Sequence, residues 1–125
     1  MRSLTGFAVL MCLSCLSCGR KIHDSDLFGT YIANPDWGTS TLVLNSDHTF
    51  TQTVTTKTGS SKSVHGKWEL TSDLQTLVLS QKFLSVTHDQ QGTEADGDAS
   101  SVERGLFGGI EISADPDYGI AFHKQ

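Results

Sequence analysis

From Phe28 onward the chain alternates apolar and polar residues in short runs, broken by clusters of Gly, Asn, Asp, Ser and Pro. The clearest run is Lys62 to Leu70. Val64, Trp68 and Leu70 share one face, and Ser63, His65, Lys67 and Glu69 share the other. A period of two places one side of a strand in the core and the other in water. Similar runs cover Phe28 to Ala33, Thr39 to Leu44 and Thr49 to Thr56. They end in Asn34-Pro35-Asp36, Asn45-Ser46-Asp47-His48 and Thr58-Gly59-Ser60-Ser61, residues that favour turns. Thr76 to Ser80 reads as a fifth strand, with an extension through Phe83 to Val86. A polar loop is expected from His88 to Ser101. Leu106 to Ser113 and Tyr118 to His123 then read as two last strands, joined by Asp115-Pro116-Asp117. No window carries the period of an amphipathic helix.

These runs predict an all-β domain, an antiparallel meander of about seven strands. Apolar positions fall on one side of each strand, so the sheet is expected to cover its own face. A small barrel or a strongly curved sheet does this, and a two-sheet β-sandwich is the alternative. Gly29, Gly66, Gly108 and Gly109 suit bends or close backbone approaches in a curled sheet. Tyr31, Phe50, Trp68, Tyr118 and Phe122 fall on the inward positions. They are expected to form the core or, if a cavity remains among them, to bind a small apolar ligand.

The beginning of the chain follows another pattern. Arg2 precedes an apolar stretch, Leu4 to Leu13, and Cys15-Leu16-Ser17-Cys18-Gly19 follows. The stretch is too short to span a bilayer, which takes about 20 apolar residues. It has the layout of an export signal, without the Ala-x-Ala-like site of a plain secretory signal. It resembles a bacterial lipobox, with a small residue directly before the cysteine and Cys15 where Leu is usual. The resemblance implies cleavage before Cys18 and acylation of that cysteine, with Cys15 as the rival acceptor. Residues 1–17 would then be the signal peptide, 18–26 a lipidated tether and 27–125 one β domain. Anchoring would rest on acyl chains, each buried CH₂ contributing about 0.8 kcal/mol. The resemblance also implies a cell-envelope location, with Gly19 fitting the outer membrane facing the periplasm.

Charge and cysteine content narrow the function. The chain carries 9 Lys and Arg against 14 Asp and Glu, a formal charge of −5. Loss of residues 1–17 would remove Arg2 and no acid, giving −6 over 125 − 17 = 108 residues. Without a basic cluster, nucleic-acid binding is not expected. All 3 cysteines (Cys12, Cys15 and Cys18) lie at or before the proposed cleavage point. The β domain therefore has no disulfide, thiolate nucleophile or Cys-type zinc site.

A second resemblance covers about half of the β domain. Gly29-Thr30-Tyr31, then Thr41-Leu42-Val43-Leu44-Asn45-x-Asp47-x-Thr49-Phe50, then Gly66-Lys67-Trp68 resemble small bacterial lipocalin-like lipoproteins. His48 stands where that pattern has the Gly of an Asp-Gly turn. The resemblance implies a lipocalin-like barrel and names no activity.

No catalytic motif is present: no nucleophile elbow, zinc helix, phosphate loop or dinucleotide fingerprint. His23, His48, His65, His88 and His123 are scattered, and no metal or cofactor is expected. Glu94, Asp96, Gly97, Asp98, Ser100 and Glu103 match part of a calcium-loop spacing. Gly92 occupies its first ligand position and no helix flanks it, so a solvated loop is the preferred reading. The expected function is therefore non-enzymatic: a membrane-anchored interaction or structural module with an envelope protein partner. The alternative is a carrier or sensor of a small apolar ligand.

Overall fold

The computed structural model describes residues 21–71, 75–104 and 109–125. A helical turn, α1 (Asp24–Leu27), precedes β1 (Gly29–Ala33), β2 (Gly38–Leu44), β3 (Thr49–Thr56), β4 (Ser61–Thr71) and β5 (Thr76–Gln81). Two short strands follow, β6 (Phe83–Leu84) and β7 (Glu94–Ala95), and then β8 (Asp98–Arg104) and β9 (Ile110–Asp115). A 3₁₀ turn, Pro116–Tyr118, leads into β10 (Ile120–Lys124).

Eight strands form a closed antiparallel barrel in the order β1-β10-β9-β8-β5-β4-β3-β2. The meander expected from the alternation is present, closed where β10 returns to β1, with Tyr31 opposite Lys124. Closure leaves the barrel sheet without an edge strand. The alternation in β4 holds: Val64, Gly66 and Trp68 are buried, and Ser63, His65, Lys67 and Glu69 are exposed. The remaining strands supply Tyr31, Leu42, Leu44, Phe50, Val54, Leu77, Leu79, Val102, Ile110, Ile112 and Phe122 to one core.

The seven expected strands fall one short of the eight in the barrel, because the polar loop from His88 to Ser101 contains the start of β8. It also contains β7, which pairs with β6 outside the barrel sheet. Only Val102 in β8 is buried, so the segment lacks an apolar signature. Its extended form comes from pairing, Val78 with Ala99 on one side and Val102 with Ile112 on the other. The proposed extension of β5 is also different. The chain turns at Gln81, φ 71°, and Phe83, Leu84, Ser85 and Val86 are buried in succession. Four consecutive buried residues do not belong to a one-sided strand. Here they enter the barrel as part of the β6–β7 hairpin.

Gln52 holds that hairpin. It is the inward residue between Phe50 and Val54 on β3, and it is fully buried. Its Oε1 accepts the Leu84 N–H at 2.7 Å, and its Nε2 donates to the Leu84 carbonyl at 2.8 Å. Ser40 Oγ accepts a further bond from Nε2 at 3.1 Å. A side-chain amide thus replaces a neighbouring strand for the backbone of Leu84, meeting the need to pair buried polar groups.

Gly66 lies opposite Phe50 in the β3–β4 register. A Cβ there would overlap the Ser80 carbonyl oxygen and come within 2.8 Å of the Phe50 ring. This is the close approach expected of that glycine. Gly108 lies outside the described residues, as does part of the strand expected from Leu106.

The other barrel end is covered by α1. Leu27 is fully buried, and its carbonyl accepts the Tyr31 hydroxyl at 2.8 Å. Asp26 accepts from the His23 N–H at 2.9 Å and from Arg104 Nη2 at 3.0 Å. Lys124 Nζ donates to the Asp26 carbonyl at 2.6 Å. Part of the segment read as a tether thus packs on the barrel, with Ile22 buried as well. The β2–β3 turn meets α1 through His48, whose Nε2 lies 2.9 Å from Asp24 Oδ2. His48 has φ 65°, the left-handed conformation that suits Gly at this position. Its ring packs edge-on against Trp68, with centroids 4.5 Å apart.

Candidate functional site

The five aromatic residues proposed as an inward set do not form one site. Tyr31, Phe50 and Phe122 are buried in the barrel core, and Trp68 packs at the α1 end. Trp68 Nε1 donates to the Asn45 carbonyl at 3.0 Å, so its polar atom is engaged. Burial of Tyr31 pushes its phenol pKa upward, and its hydroxyl remains a donor to Leu27. Leu84 and Val86 join this core from the inserted hairpin.

Tyr118 is the exception. It is 57 % exposed and does not face the interior. Pro116 starts a 3₁₀ turn that includes Tyr118, and Gly119 ends it at φ 67°. The strand therefore begins at Ile120, and a register shift follows between Ile120 and Ala121. The alternation that placed Tyr118 on the same face as Phe122 is broken by these two features.

At this end of the barrel a cleft of about 250 Å³ is lined by Asn34, Asp36, Trp37, His88, Tyr118 and His123, among others. Three connections build it. The β1–β2 loop supplies Asn34 to Trp37, the inserted hairpin supplies His88, and the 3₁₀ turn supplies Tyr118. His88 and Tyr118 stack nearly parallel, with ring centroids 4.4 Å apart and planes 13° apart. Asp115, buried at the end of β9, accepts the His88 backbone N–H at 3.1 Å through Oδ2. That bond ties the hairpin to the turn carrying Tyr118.

Trp37 is half-buried, and its Nε1 is buried without a hydrogen-bond partner among the described residues. Leaving such a donor unpaired costs about 1–3 kcal/mol. The β1–β2 loop is otherwise well bonded: Gly38 N–H donates to the Pro35 carbonyl, and Lys57 N–H to the Trp37 carbonyl. The loop was legible as a turn, but nothing in the sequence joined Trp37 to His88 and Tyr118. Their meeting depends on the inserted hairpin.

The acidic segment is occupied in another way. Glu94 pairs with Lys62 at 3.0 Å and Asp96 with Lys82 at 2.8 Å. These partners hold both carboxyl pKa values below the ordinary range. Asp98 Oδ2 accepts from Ser100 within β8. Among the described residues no group of three or more His, Cys, Asp or Glu is placed to hold a metal ion.

Cys18 and Cys15, the two candidate acylation sites, lie outside the described residues. Lys21, which does not, lies at the α1 end, opposite the cleft. No helix among the described residues is long and apolar enough to cross a membrane. Comparison with family models, curated proteins and solved structures finds no match to this chain.

Proposed function

We propose that this chain is a lipid-anchored, non-enzymatic binding module of the bacterial cell envelope, with its recognition surface at the barrel rim. The insertion of Phe83 to Val86 into the barrel carries this reading. In a carrier of the lipocalin type the ligand occupies the interior. Here Tyr31, Phe50, Phe122 and the hairpin residues Leu84 and Val86 pack into that space, and Gln52 fixes the hairpin by its backbone. Recognition then falls to the surface, where the cleft combines exposed aromatic area with polar groups. Acylation at Cys18 would attach the α1 end to the membrane and turn the cleft away from it.

The anchor is tested by growing cells with a palmitate analogue. Label is expected on the native chain and not on Cys18→Ala. Loss in Cys15→Ala alone would move the anchor to Cys15, and an unlabelled native chain would remove it. Native mass spectrometry of the full chain in detergent tests the filled interior. The expected result is the mass of the polypeptide plus its acyl groups. A further mass released only on denaturation would make the protein an interior carrier.

A further inference from the structure

We infer that the rim cleft binds a saccharide, with one pyranose ring laid against Tyr118. The inference rests on the cleft being the recognition surface and is independent of the lipid anchor. Tyr118 is the one large hydrophobic side chain that stands exposed among the described residues. His88 stacks on it, so the ring is braced. An aromatic face is electron-rich and apolar. It suits the C–H face of a pyranose, which is apolar and carries partial positive charge.

A sugar also presents hydroxyls around its edge, each both donor and acceptor. The cleft wall matches this with Asn34, Asp36, the Trp37 indole and His123. No hydrogen bond engages the Asp36 carboxylate, the Tyr118 hydroxyl or Trp37 Nε1 among the described residues, whereas Asn34 Oδ1 accepts from Thr39 at 3.3 Å and His123 Nδ1 lies 3.3 Å from Glu111. Trp37 Nε1 is a buried donor without an acceptor in the wall of this cleft. A purely apolar ligand would leave that donor unpaired. An anion would meet Asp36 and the nearby Asp115 and Asp117, with no Lys or Arg in the cleft wall. A volume of about 250 Å³ accommodates one pyranose ring.

Saturation-transfer NMR on the full chain in detergent tests this, using glucose, galactose, N-acetylglucosamine and their β-linked disaccharides as probes. Transfer is expected to the C–H protons of at least one sugar, with millimolar affinity. Tyr118→Ala should weaken it about tenfold, and Trp37→Phe should weaken it while the far-UV spectrum stays unchanged. Absence of transfer from every sugar would overturn the inference, as would transfer undiminished in Tyr118→Ala. Tetramethylammonium chloride is the control probe. If it binds in a Tyr118-dependent way and the sugars do not, the cleft remains the recognition surface, but its ligand is an organic cation. If a photoreactive group at position 118 also captures nothing in cells, the reading of the cleft as a recognition surface fails with it.

Discussion

The side-chain amide of Gln52 and the backbone of Leu84 form a two-bond pair inside the barrel, at 2.7 and 2.8 Å. An amide is the side chain suited to this, since it presents one donor and one acceptor side by side. Replacing Gln52 with Leu keeps the volume similar and orphans both Leu84 groups. The loss expected is about 2–4 kcal/mol, read from urea unfolding midpoints. Hydrogen exchange at the Leu84 amide should quicken in the same variant.

Gly66→Ala inserts a methyl where Phe50 and the Ser80 carbonyl already meet. Overpacking of this kind costs about 1–3 kcal/mol. A companion change, Phe50→Leu, relieves the ring contact and leaves the carbonyl contact. The double variant is therefore expected to recover part of the Gly66→Ala loss, measured by a double-mutant cycle.

Asp26 sets part of the acid limb of stability. The His23 N–H is the main cause holding its pKa below the usual 3.8, with Arg104 and Lys124 adding to it. A depressed folded-state pKa contributes stability above the unfolded value, and that contribution is lost as pH falls through the folded value. Thermal unfolding should therefore show a falling Tm below about pH 4. Asp26→Asn should start from a lower Tm at neutral pH and fall less steeply in acid.

Tyr31 acts at the other end of the scale. Burial is the main cause raising its pKa above 10.0, and Asp26 adds to it. The unfolded chain therefore ionises first, and stability declines as pH rises past the unfolded value. Tyr31→Phe should flatten this alkaline decline. At neutral pH it should cost about 1–2 kcal/mol, because the buried Leu27 carbonyl loses its donor.

Most of the barrel was legible because alternation is strong wherever one face is buried and the other is wet. Val64, Trp68 and Leu70 displayed it, and so did Leu42 and Leu44. β8 was hidden since a single apolar residue, Val102, faces the core, and pairing on both sides does the rest. Tyr118 was misplaced because a 3₁₀ turn and a bulge shift the parity of the last strand. The cleft was beyond reach from the sequence. Trp37, His88 and Tyr118 are far apart in the chain, and they meet only where the hairpin tucked in by Gln52 brings His88 to the turn. Position 48 shows the converse. The sequence marked it as a Gly site, and the backbone there is left-handed as a Gly would be.

Closure of β10 onto β1 has a consequence for chain connectivity. The Gln125 N–H bonds the Thr30 carbonyl and Lys124 Nζ bonds the Asp26 carbonyl, so residue 125 lies beside the first strand, near α1. The sequence-distant pairing of the barrel is therefore also the place where a peptide linker could be short. Joining residue 125 to the segment before α1 and opening the exposed turn at Gly59, whose φ is 92°, would give a circular permutant with the same strand order. In it the β1–β10 contact becomes a local hairpin, and the loop entropy of closure shifts to β3 and β4. Faster folding of the permutant would identify β1–β10 closure as the slow step of the native chain.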